Sequence, residues 1–144
     1  MELQNFLLCD DIRQEVGNKI SLMGVFDDII ELNRHPQMPE TDPITIKLSV
    51  CTRILFSEED KNRQIGRMRV RMTNDNGTDI SIGEGELALA GDNKMMKLNF
   101  ISAFPATFSQ DGNIAVEFEF LTAGGVAVDS VKSPNYKIVI RKRQ

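Results

Sequence analysis

Arg67-Met68-Arg69-Val70-Arg71-Met72-Thr73-Asn74-Asp75-Asn76-Gly77-Thr78-Asp79-Ile80-Ser81-Ile82 decides the fold class. Apolar side chains alternate with arginines, a cluster of turn formers follows, and a second alternating run begins. Alternation with period two sends successive side chains to opposite faces of an extended chain, and a turn-rich interval between two such runs reads as a hairpin. Two registers compete. A two-residue loop at Asn76-Gly77 sets Arg69 opposite Glu84 and Arg67 opposite Glu86, a charge ladder worth about 0.2–1 kcal/mol per pair. A three-residue loop with Gly77 left-handed sets Met72 opposite Ile80 and Val70 opposite Ile82. Burying each large apolar side chain contributes about 1.5–3 kcal/mol, so the second register is expected, with Arg67, Arg69 and Arg71 outward. Ile80 and Ile82 share one parity and Leu87 and Leu89 the other, which calls for a bulge or bend at Gly83 and Gly85.

The same alternation recurs on both sides of this hairpin. Ile44, Ile46, Leu48 and Val50 alternate with Thr45, Lys47 and Ser49; Val116, Phe118 and Phe120 alternate with Glu117 and Glu119; Tyr136, Ile138 and Ile140 close the chain. Turn formers at Gly17-Asn18, Asp111-Gly112-Asn113 and Gly124-Gly125 separate apolar runs. If residue 16 pairs with residue 19 around Gly17-Asn18, Leu8 faces Asp27 and Asp11 faces Gly24. No stretch carries a sustained helical spacing, so helix is confined to one turn near Ser57 to Asn62. Pro36, Pro39 and Pro43 stiffen the segment from Asn33 to Pro43, which reads as a crossover between sheets. The expected architecture is all-β: one domain over residues 1–144, an antiparallel two-sheet β-sandwich of about seven to nine strands.

Composition bounds the function. A chain of 144 residues buries roughly 70% of its unfolded surface and needs neither metal nor disulfide to fold. A net charge of −4 gives no general attraction to nucleic acid or anionic lipid. Cys9 and Cys51 lie in apolar runs and read as free buried thiols. The apolar run Phe6-Leu7-Leu8-Cys9 is too short for a signal peptide and ends at Asp10-Asp11, and no run approaches the ~20 apolar residues of a membrane helix. A soluble, cytoplasmic protein is expected.

Few residues are placed for chemistry. Asp10, Asp11, Asp27 and Asp28 are candidate metal ligands, although a calcium site needs about six or more converging oxygens and the hairpin does not force these acids together. Asp75-Asn76-Gly77-Thr78-Asp79 lacks the acid spacing and final glutamate of a calcium loop and reads as a turn. His35 is the only histidine and stands in the proline-rich segment. No Gly-x-Ser-x-Gly elbow occurs, and two separated cysteines with one histidine do not make a zinc set. Gly83, Gly85 and Gly91 precede strand-like residues where a nucleotide fingerprint needs a helix. One tyrosine and no tryptophan leave little for a sugar platform. Arg67, Arg69 and Arg71 form an outward stripe able to grip successive anions, and read more plainly as a solvated face; Arg141-Lys142-Arg143 read as guards of a sheet edge.

The opening carries a resemblance. Phe6-Leu7-Leu8-Cys9-Asp10-Asp11-x-Arg13, then Gly17-Asn18-Lys19-x-Ser21-Leu22-x-Gly24-Val25-Phe26-x-Asp28, resembles the start of an uncharacterised family of small bacterial proteins with a single β-rich domain. The resemblance implies an intracellular β-sandwich of bacterial or phage origin and transfers no catalytic or ligand-binding residue.

These readings converge on a non-enzymatic interaction protein with a protein partner and no cofactor. The alternatives are a metal-dependent enzyme built on the four aspartates, or a sandwich that binds a small anionic ligand on the arginine stripe. Leu3 to Cys9 and Tyr136 to Ile140 are the expected edge strands. The first is nearly uncharged, and pairing with its symmetry mate would give a homodimer.

Overall fold

The computed structural model describes residues 1–75, 79–87, 89 and 96–142. Its elements run β1 (Glu2–Glu15), β2 (Lys19–Val25), β3 (Ile29–Arg34), β4 (Ile44–Phe56), α1 (Glu58–Lys61), β5 (Ile65–Asn74), β6 (Ile80–Glu86), β7 (Met96–Phe108), β8 (Gly112–Thr122), β9 (Ala127–Lys132) and β10 (Tyr136–Lys142). A four-stranded sheet in the order β2-β1-β4-β7 packs on a six-stranded one in the order β3-β10-β8-β5-β6, with β9 also on β8. The all-β, two-sheet expectation holds, with ten strands among the described residues against the seven to nine expected. Every pair is antiparallel except β3 with β10. The single helical turn falls where expected, between the N-cap Ser57 and the C-cap Asn62.

The core lies between the inward parities of the two sheets. Leu48, Val50, Ile54, Phe56, Phe104, Ala106 and Phe108 face Val70, Met72, Val116, Phe118, Phe120 and Ile138. Phe56 meets Phe120 edge-on with centroids 5.4 Å apart, and Phe100 meets Phe118 at 5.2 Å, so the sheets are joined by aromatic contacts of the favoured T-shaped kind. β4 and β7 pair over thirteen positions, from Ile44 opposite Phe108 to Phe56 opposite Met96, with no shift of register. Pro105 is tolerated there because, among the described residues, β7 has a strand on one side only.

Both competing registers of the β5–β6 hairpin exist, one after the other. Near the turn Met72 pairs with Ile80 and Arg71 with Ser81. Ile82 is then the extra residue of a bulge, after which Val70 pairs with Gly83, Arg69 with Glu84 and Arg67 with Glu86. Apolar burial thus wins beside the turn and the charge ladder forms beyond it. The bulge falls one residue before Gly83. Val70 and Met72 are fully buried, while Met68, Ile80 and Ile82 are half-buried against the core. The turn residues 76–78, Gly91 and Arg143 lie outside the described residues.

Three expectations are corrected. The β1–β2 loop has three residues, with Glu15 opposite Lys19, because Gly17 (φ 81°) and Asn18 (φ 58°) are both left-handed and Val16 joins the turn. Asp11 therefore faces Met23, and Asp10 stands opposite Gly24. β10 is not an edge but lies between β3 and β8, whereas β1 follows β2 in the sheet order yet pairs with it only from Cys9 onward, so Leu3 to Leu8 have β4 on one side and no strand on the other among the described residues. The part of β1 paired only with β4 carries a bulge at Asn5 (φ 52°), where the Thr52 hydroxyl donates to the Gln4 carbonyl at 3.0 Å. Arg141 and Lys142 instead pair with Glu31 and Glu40, each at 3.2 Å.

Connections hold the layers together. The proline-rich segment crosses from β3 in one sheet to β4 in the other, as expected. Buried Arg34 donates to its carbonyls at Pro39 (2.9 Å) and Asp42. β9 and β10 lie along the same flank of β8 and are parted at Ser133-Pro134-Asn135. Proline cannot donate to the ladder, and the Ser133 hydroxyl takes over by accepting the Val116 N–H at 2.9 Å.

At the helical turn, Ser57 N–H donates to Asp60 Oδ2 at 2.8 Å, and the Met1 nitrogen lies 3.0 Å from the same oxygen. Burial pushes the Asp60 carboxyl up, and hydrogen bonds from Ser57 and the Met1 amine more than reverse this, leaving it below the ordinary carboxylate value. A lowered folded pKa contributes stability that is present above the unfolded pKa of about 4 and is lost as pH falls through the folded value. Asp60→Asn is predicted to cost about 1–3 kcal/mol at neutral pH and to flatten the loss of stability below about pH 4, read by urea unfolding across a pH series. Val70→Asp, which buries an unpaired charge between the sheets, is predicted to cost about 3 kcal/mol or more, visible as a large drop in Tm.

Candidate functional site

Alternation places Arg67, Arg69 and Arg71 on the outer face of the six-stranded sheet, with side chains 40, 42 and 36% exposed. Each meets a carboxylate. Arg67 donates to Glu84 at 2.6 Å, Arg69 to Glu119, and Arg71 to Glu117 through Nε at 3.1 Å and a terminal nitrogen at 2.6 Å. Glu117 also has Lys132 at 3.6 Å and is 8% exposed. Glu84 comes from β6, and the other two partners come from β8, whose Val116-Glu117-Phe118-Glu119-Phe120 mirrors the alternation of β5 with opposite charge. Sequence reasoning missed that pairing, and the matched charge period was its available signal. An anion bound on this stripe has to displace glutamates already in place.

The four aspartates occupy different surroundings. Asp11 accepts from Lys47 at 2.9 Å and from Arg13 at 3.4 Å, and these bonds hold its carboxyl below the ordinary value. Asp10 lies over Gly24, where a Cβ would come within 2.2 Å of its Oδ2. Asp27 and Asp28 follow β2 and line a shallow cleft with Leu7, Phe26, Pro134 and Tyr136. Among the described residues no group of three or more His, Cys, Asp or Glu converges on a point. His35 is exposed after β3, its Nδ1 accepting the Gln37 N–H at 3.2 Å. Cys9 and Cys51 are free, and burial pushes both thiols up, with the nearby Cys51 and Asp10 adding to the effect at Cys9. Protonated thiols are poor nucleophiles.

The β1–β2 hairpin builds a cleft that the sequence does not announce. Gly24 has φ 63°, and close approach to Asp10 at that point marks a break in the flat sheet. Beyond it, Asn18 and Ile20 near the hairpin tip line a cleft of about 340 Å³ with Cys51 and Arg53 of β4 and Asn99 and Ile101 of β7. Those four belong to the outward parity of the four-stranded sheet, as do Cys9 and Ser49, which are 0 and 1% exposed. The hairpin tip therefore stands over this face. Its second strand, β2, pairs only with β1 among the described residues and exposes Ile20, Met23 and Val25.

The chain belongs to a family of unknown function, DUF6941, whose model matches residues 4–121. No curated protein and no solved structure matches it. The DUF6941 match begins in β1 and ends within β8, so it spans the hairpin, the cleft residues and the arginine stripe, while β9 and β10 follow it. Among the described residues no helix is long and apolar enough to cross a membrane.

Gly24→Ala is predicted to cost about 1–2 kcal/mol from its left-handed backbone, plus the displacement of Asp10. In an Asp10→Ala background the clashes with Oδ2 and Cγ disappear and only the milder contact with Cβ, at 3.1 Å, remains. A double-mutant cycle by chemical denaturation is expected to show coupling of about 0.5 kcal/mol or more between the two positions.

Proposed function

We propose that this protein is a non-enzymatic binding module, working in a reducing cytoplasm, that captures an extended segment of a protein partner by adding it as a strand beside β2. One observation carries the reading: beyond Lys19, β2 holds no charge and no proline, and three large apolar side chains are exposed along it. An edge strand offers a row of unpaired N–H and C=O groups, and natural edges are normally guarded. The other edges carry guards: Glu2 and the bulge at Asn5 on the first half of β1, Pro105 and Lys97 on β7, Glu31 and Arg34 on β3, Glu84 and Glu86 on β6, Asp129 and Lys132 on β9. Affinity for an added strand comes from the backbone ladder, and specificity from pockets for alternate side chains.

Met23→Lys and Val25→Lys each place a charge on this edge without touching the core. Affinity capture from the native host is predicted to return one stoichiometric protein with the wild type and to lose it with either variant at unchanged Tm. Retention by both variants, or a partner that is a second copy by light scattering and survives them, defeats strand capture at β2.

A further inference from the structure

The described arginines differ in how they are satisfied. Arg13, Arg63, Arg67, Arg69, Arg71 and Arg141 all have a carboxylate within salt-bridge distance, and Arg34 is clasped by backbone carbonyls. Arg53 stands apart. Its Nε donates to Asn99 Oδ1 at 3.1 Å, and among the described residues no carboxylate lies within 4.0 Å of it. Fixing Nε in this way orients the guanidinium plane while leaving its terminal N–H groups available. This free cation lines the 340 Å³ cleft beneath the hairpin tip.

Around it the cleft supplies the rest of a binding site. Asn5, Asn18 and Asn99 bring side-chain amides, and Ile20 and Ile101, each 43% exposed, bring apolar wall. Asn5 and Asn18 are two of the three non-glycine residues with positive φ among the described residues, a conformation retained where the surroundings require it. The volume lies at the small end of the range for ligand pockets, about 300–1,000 Å³. One guanidinium with no second cation in the lining suits a monoanion, because a dianion would keep an uncompensated charge. A carboxylate accepts two parallel N–H bonds from such a fork.

The geometry points to a binding site for a small monocarboxylate with an apolar body, its carboxylate on Arg53 and its hydrocarbon part against Ile20 and Ile101. The anion site thus lies on the four-stranded sheet, away from the arginine stripe, and it shares only Ile20 with the exposed side chains of the β2 edge. The carboxylate can come from a free acid or from the C-terminus of a peptide, and two probes separate these sources.

Isocaproate, isocaproamide, acetyl-leucine and inorganic phosphate are titrated into the full chain. The readouts are the NMR signals of Arg53 Nε–H and the Asn99 amide, and the rate of Cys51 alkylation by iodoacetamide. Isocaproate is expected to shift both signals and to slow Cys51 alkylation several-fold, while isocaproamide and phosphate do neither at equal concentration. Stronger effects from acetyl-leucine support the same site with a peptide terminus as the source. Arg53→Gln is expected to abolish the protection of Cys51, Arg53→Lys to weaken it, and Arg13→Gln to leave it unchanged. Ile101→Glu, which adds a repelling charge at an exposed position, is expected to abolish it as well. Equal effects from the amide, preference for phosphate, or wild-type protection in Arg53→Gln or Ile101→Glu would overturn the assignment.

Discussion

A slip of β5 by one residue would drive three guanidinium groups between the sheets, and this penalty fixes the six-stranded layer. Burying unpaired charge costs far more than any cross-strand pair returns, so the parity of β5 is set before its partners are chosen. β8 then fits on one side because Val116, Phe118 and Phe120 share the inward face with Val70 and Met72, and Glu117 and Glu119 share the outward face with the arginines. The outward ion pairs are consequences of that parity. They add register specificity to a sheet whose stability comes mainly from the apolar side.

What departs from regular pairing shapes the surface. Ile82 is bulged so that one strand can satisfy apolar burial near its turn and charge pairing farther on. Asn5 disrupts the half of β1 that has no second strand beside it. Ser133 and Pro134 part β9 from β10, which leaves β10 free to take β3 as a parallel neighbour. Gly24 allows the first hairpin to leave the sheet plane and stand over β4 and β7. Each irregularity sits where a continuous ladder would conflict with packing, in line with the tendency of bulges and left-handed residues to gather where a strand is re-aimed.

The two proposals draw on the same hairpin in different ways. Its free edge offers backbone groups and apolar side chains to an extended partner, while its tip closes one side of a cleft that contains an uncommitted guanidinium. The arginine stripe first pointed to an anion, yet each of its three cations is already paired with a glutamate. Availability decides between cations of equal formal charge: Arg53 has its orientation set by Asn99 and, among the described residues, its terminal N–H groups unspent.

Sequence alone determined the class of the fold, the crossover at Pro36 to Pro43, the helical turn after Phe56 and the outward facing of Arg67, Arg69 and Arg71. These follow from period-two alternation and local turn chemistry, which act over a few residues. The opening also resembled an uncharacterised family, and the family match itself runs over residues 4–121. Tertiary structure decided which strands are neighbours, and so placed β10 inside its sheet, divided β1 between β4 and β2, and paired each arginine of the stripe with a carboxylate. It alone brought Asn18 and Ile20 to Arg53, Asn99 and Ile101. The reason is physical: pairing between distant segments depends on how two whole sheets share one core, and no local pattern records where a hairpin goes once a left-handed residue has turned it out of plane.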